Sequence, residues 1–159
     1  MTVKPDSEKL SPEAALRSFI DRFDPKYQKL IRSIRAAVRK RFPTANELAY
    51  DYSNSVVISY SPTERGLEGI VSIAARDDGV RLYVQGVGLP DPKGLLQGAA
   101  KQVRYVEIEA VSRLAHPDVE ALIAAAIDQS KTPLPSEGGG KLIIRSDGTK
   151  AKARRKPSK

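Results

Sequence analysis

The chain has 159 residues, about one domain by the usual ~100–200 residues each, and its 40% hydrophobic and 29% charged composition is that of a folded globule rather than a disordered chain. The absence of cysteine removes disulfides, thiolate nucleophiles, zinc–cysteine sites and iron–sulfur clusters, and fits a reducing compartment. No apolar run reaches the ~18–20 residues of a membrane span, and the polar start Met1-Thr-Val-Lys-Pro-Asp predicts no signal peptide, so a cytoplasmic protein with no membrane partner is expected.

The net charge of +8 is unevenly placed. From Gly138 onward eight basic residues face Asp147 alone, a net +7, which leaves +1 for residues 1–137. Within that nearly neutral part, the segment from Asp24 to Phe42 holds seven basic residues against one acid. The domain therefore has one cationic face, not a cationic body.

Residues 1–10 are polar and without period and are expected to form a flexible arm. Ser11-Pro12-Glu13 is a helix start: a serine to cap the first amides, proline at the first helical position and an acid in the first turn. Ala15, Leu16, Phe19, Ile20 and Phe23 follow at helical spacing, predicting a helix to about Phe23, where Asp24-Pro25 repeats the start signal. From Pro25 to Phe42 the residues Tyr27, Leu30, Ile31, Ile34, Ala37, Val38 and Phe42 share one face at a period near 3.6. Lys26, Lys29, Arg32, Arg35, Arg39 and Lys40 fall on the opposite, solvent side. Arg41 alone lies within the apolar arc, close enough to the helix end to snorkel outward.

Beyond Pro43 the period becomes two, and β-branched and aromatic residues dominate. Strands are predicted over 47–52, 56–60, 69–76 and 80–85, the last two joined by the tight turn Asp77-Asp78-Gly79. A Gly/Pro-rich connection with one short helical turn spans 86–100, a fifth strand 103–108, and a last helix Pro117 to Gln129. Short turns between neighbours imply antiparallel pairing. The expectation is an α+β domain over 11–135, an antiparallel sheet of about five strands covered on one face by helices. Residues 136–159 form a flexible basic tail too poor in apolar residues to order itself; only Leu142-Ile143-Ile144 has the composition to dock as a short strand. Truncation at Glu137 is expected to leave stability nearly unchanged.

Three stretches, Leu89-Pro-Asp-Pro-Lys-Gly-Leu-Leu-Gln-Gly98, Lys101-Gln-Val-Arg-Tyr-Val106 and Pro117-Asp-Val-Glu-Ala-Leu-Ile123, together with the Arg154-Arg155-Lys156-Pro157 ending, resemble the YdhG-like family of bacterial domains of unknown function. The resemblance spans about residues 13–130. It implies a frataxin-like two-layer architecture and, in one branch of the family, an iron-chaperone role that relies on an acidic ridge along a helix. The corresponding helix here is cationic, whereas a hard cation needs several converging carboxylates, so the resemblance carries the fold and not the iron site.

His116 precedes Pro117 and reads as a helix cap. No serine lies in a nucleophile turn, and the carboxylates Glu107, Glu109, Asp77, Asp78, Asp118 and Glu120 suit strand faces, a turn and a helix start. No catalytic residues, metal site or cofactor are assigned, and a non-enzymatic binding or carrier module is expected. Its ligand would contact the exposed sheet face or the 86–101 loop, where Lys93, Lys101 and Arg104 stand beside glycine-rich backbone amides that suit a small anion. The alternative is nonspecific nucleic-acid binding through Lys26, Lys29, Arg32, Arg35 and Arg39 together with Lys152, Arg154, Arg155 and Lys156, a salt-sensitive polyanion interaction. Most of the tyrosines and phenylalanines fall at core-type positions, leaving few for base stacking.

Overall fold

The computed structural model describes residues 10–146; Lys152, Arg154, Arg155 and Lys156 lie outside them. Helix α1 (Pro12–Ile20) begins as its sequence directs, with Ser11 Oγ accepting from the Ala14 amide at 3.1 Å. It stops at Ile20, a turn earlier than the spacing suggested, and Phe23 is buried from the connecting turn. Asp24 caps α2 (Pro25–Arg41), whose Ile31, Ile34 and Val38 are buried. The strands β1 (Asn46–Tyr52), β2 (Ser55–Ser61), β3 (Val71–Arg76), β4 (Gly79–Gln85) and β5 (Val103–Glu107) follow. Helix α3 (Pro117–Gln129) is capped by His116, whose Nδ1 accepts from the Asp118 amide at 3.1 Å.

The sheet departs from the expectation. Among the described residues it has six strands in the order β5-β4-β3-β2-β1-β6, because Leu142–Ser146 forms β6 and pairs parallel to β1. The sheet is thus mixed, not wholly antiparallel. Composition assigns the stretch to the tail but leaves its apolar triplet Leu142-Ile143-Ile144 able to dock as a short strand, and it does so. It covers the open hydrogen-bonding edge of β1 and packs Leu142 and Ile144 against the core, which is gain enough to order it. The 86–100 connection forms no helix; Gln97 makes a single bridge to Tyr105.

Register sorts the two faces. Cross-strand partners point to the same side, so Ala49, Ile58, Ile73, Leu82 and Val106 form one row of the helix-covered face. All five are buried, and with the apolar sides of α1, α2 and α3 they make the main core. On the other face the rows carry Tyr50 and Tyr52, stacked at 6.1 Å, and Tyr83 and Tyr105, 5.2 Å apart. Four of the six tyrosines are therefore outside the main core, while Tyr60 and the three phenylalanines lie in it and Tyr27 packs against it. Alternation shows that a strand has two faces but not which one the helices will cover. Among the described residues no helix is long and apolar enough to cross a membrane.

Candidate ligand-binding pocket

Between α2 and α3 the helix layer has a gap. The 3-10 turn Val111–Ala115 is wedged there and holds the helices apart, leaving an apolar cavity of about 330 Å³. Its floor is the sheet, through the buried Val71 and Leu82; Val38 of α2, Phe42 just beyond its end and Ile123 of α3 supply the walls. Val111 and Leu114 of the 3-10 turn form the roof. This volume lies at the small end of the ~300–1,000 Å³ range of ligand sites, and an apolar lining with a few polar groups at the mouth is their usual composition.

The mouth carries charge. Arg41 leaves the apolar arc of α2 and binds Glu120 of α3, with Nη2 to Oε2 at 2.8 Å and Nε to both carboxylate oxygens at 3.0 and 3.1 Å, so the pair is internally neutral. Lys40 lines the same mouth and, among the described residues, has no ion-pair partner. One uncompensated cation over an apolar cavity suits a ligand with one acidic end and an apolar body.

The residues singled out in the sequence are placed differently. Lys93 is drawn 3.2 Å from Asp118 at the start of α3, while Lys101 is exposed and Arg104 half-buried near the beginning of β5. No hydrogen bond or ion pair among the described residues joins the three. The loop amides that suited an external anion are taken internally: Asp91 accepts from Leu95 and Leu96 at 2.7 and 2.9 Å. On β5, Glu107 pairs with Arg81 at 3.2 Å, and the Arg81 guanidinium lies 4.2 Å from the Tyr105 ring centre. Hydrogen bonding to Tyr83, ahead of the neighbouring charges, holds the Arg81 pKa above its ordinary value.

The cationic face of α2 is largely compensated. Arg32 pairs with Asp21 at 2.9 Å. Arg35, read as solvent-facing, has only 14% of its side chain exposed and is held between Glu47 and Glu13. The reason is that Glu47 of β1 and Glu13 of α1 close on its guanidinium from two sides. Arg39 approaches Glu47 and Glu13 at 3.5 and 3.9 Å, and Lys26 rests over the Tyr27 ring. Lys29 is exposed.

Spacing alone missed the pocket. Val111 and Leu114 belong to a segment that carries no helical or strand period, and the one signal was two large apolar side chains in an otherwise polar connector, of which Val111 is 38% exposed. Among the described residues no three His, Asp or Glu side chains gather as a metal-holding group. Comparison of the chain with protein-family models, with curated proteins and with solved structures gave no match.

Proposed function

We propose that the protein is a non-enzymatic binding or carrier module of the YdhG-like type, and that its ligand is a small amphipathic carboxylate held in the α2–α3 pocket. The observation that carries this reading is the apolar cavity of about 330 Å³ with Lys40 at its mouth. The ligand's aliphatic or aryl body replaces water against Val71, Leu82 and Ile123, and its carboxylate stays at the surface beside the Lys40 ammonium. The resemblance of three sequence stretches to the YdhG-like family supports the module reading, and the cavity supplies the ligand class.

Calorimetric titration with butanoate, hexanoate, octanoate and decanoate tests it. Burial of ~0.8 kcal/mol per methylene tightens binding by up to about fourfold for each carbon added, until the cavity is full. Ala37→Trp, which fills the cavity from α2, abolishes binding. Affinity that does not depend on chain length, or that survives Ala37→Trp, overturns the proposal.

A further inference from the structure

The facing sides of α1 and α2 bring four guanidinium groups to one groove of about 290 Å³. Arg17 stands one turn after Glu13 on α1, and Arg32, Arg35 and Arg39 recur on α2 at helical spacing. Arg35 is the fixed part. Its Nε and Nη2 donate to the buried Glu47 at 2.9 and 2.8 Å, and Glu47 is itself anchored by the Tyr60 hydroxyl at 2.6 Å. This side-on grip leaves the end of the guanidinium, Nη1 and Nη2, presented to the groove. Both nitrogens there bind the Glu13 carboxylate at 3.0 Å.

A carboxylate held by the fork of an immobilised arginine, with more guanidiniums beside it, has the geometry of an oxyanion in a receptor. Here the oxyanion is tethered and replaceable. Glu13 belongs to the first turn of α1, and its side chain is 54% exposed, so it can swing into solvent without disturbing the core. With Glu13 withdrawn, four positive groups face, among the described residues, only Glu47 beneath them and Asp21 at one end. A single carboxylate offsets one of those charges; a dianion offsets two. The positive field is felt at Glu13, whose carboxyl is held below its ordinary value by the Arg35 hydrogen bonds and then by the charges of Arg35, Arg39 and Arg17, against an opposing effect of burial.

We infer that the α1–α2 groove is a phosphate-binding site, and that Glu13 is its resting, displaceable occupant. Phosphate takes the end-on position on Arg35 and draws in Arg39 and Arg17, while Glu13 moves to solvent. This site is separate from the α2–α3 pocket and does not depend on the reading of that pocket.

The test is calorimetric titration of the full chain with inorganic phosphate at fixed ionic strength, using Glu13→Gln, Glu13→Gln combined with Arg17→Ala and Arg39→Ala, and Lys93→Ala as a remote control that removes one charge. Glu13→Gln is expected to bind phosphate about tenfold or more tighter than the unaltered protein, since the internal competitor loses its charge. The combined variant is expected to lose that gain and to bind phosphate more weakly than Lys93→Ala, although both lose one net positive charge. Glycerol phosphate run in parallel assigns the site to the free ion if it binds no better, and to phosphate monoesters if it binds more tightly; either result supports the site. Unchanged or weaker binding by Glu13→Gln overturns the inference. So does a combined variant that binds no worse than Lys93→Ala, which would reduce the effect to general charge attraction. Arg17 and Arg39 reach the groove from the surface, and circular dichroism of each variant separates lost binding from lost folding: a folded combined variant that still binds tightly also overturns it.

Discussion

Tyr60 and Glu47 are direct register partners on β2 and β1, and on the helix-covered face the Tyr60 hydroxyl donates to Glu47 Oε2 at 2.6 Å. Burial, followed by the Glu47 charge, raises the Tyr60 pKa well above the ordinary value of 10.0, so the phenol stays a donor. Glu47 in turn fixes Arg35, whose own pKa is raised first by its hydrogen bonds to Glu47. The chain Tyr60, Glu47, Arg35, Glu13 thus ties β2, β1, α2 and α1 together. Tyr60→Phe removes one hydrogen bond to a buried carboxylate and is expected to cost ~1–3 kcal/mol. Glu47→Ala leaves Arg35 without its buried acceptor and is expected to cost about 3–5 kcal/mol. Urea denaturation of the two variants checks both the sizes and their order.

The outer end of that chain gives a pH dependence. Because the Glu13 carboxyl is lowered from its ordinary value of 4.5 in the folded state, its contribution to stability is complete above that value and is lost as pH falls through the lowered one. Exposure limits the contribution to at most about 1 kcal/mol. The melting temperature of the unaltered protein should exceed that of Glu13→Gln at neutral pH, and the gap should close as pH is lowered below 4.5 and through the depressed value. A gap that persists in acid contradicts the ion pair as its source.

β6 reverses the truncation expected from composition. Ending the chain at Glu137 removes Leu142 and Ile144 from the core and uncovers the edge of β1, so the melting temperature should fall by several degrees. Ending it after Ser146 keeps the strand and should leave melting nearly unchanged. Thermal denaturation of both truncations decides between these readings of the tail.

The entry to β6 is fixed by close packing. Gly140 donates to the Pro43 carbonyl at 3.3 Å, and a Cβ there would meet the Ala45 carbonyl group. Asn46 locks the same turn, its Oδ1 accepting from the Lys141 amide at 3.0 Å and its Nδ2 donating to Thr63 at 3.0 Å. Gly140→Ala must push backbone against backbone and is expected to destabilise by ~1–3 kcal/mol, whereas Gly139→Ala, with open space around it, should be close to neutral. Denaturant midpoints of the two variants test the contrast.

Local order was legible and its tertiary consequences were not. Proline and capping residues placed the starts of α1, α2 and α3, and alternation located five strands, because those signals act within a few residues. The half-buried position of Arg35 was hidden because the period of α2 marks its apolar face but says nothing of which acids from α1 and β1 will close on the polar one. The placement of Tyr83 and Tyr105 on the face away from the helices was hidden for a parallel reason: the choice of covered face is made by helices distant in sequence. The α2–α3 pocket exists only because Val111–Ala115 separates two helices whose starts, Pro25 and Pro117, are far apart in sequence, and no local pattern encodes such a gap.

The ligand pocket is tested most directly by methyl NMR. Octanoate titrated into the full chain should shift the Val71, Leu82, Leu114 and Ile123 methyl signals together and saturably, with Lys40→Glu weakening the response about tenfold and leaving the fold intact. Shifts confined to the surface methyl of Leu67, or a Lys40→Glu titration no different from that of the unaltered protein, would contradict the account.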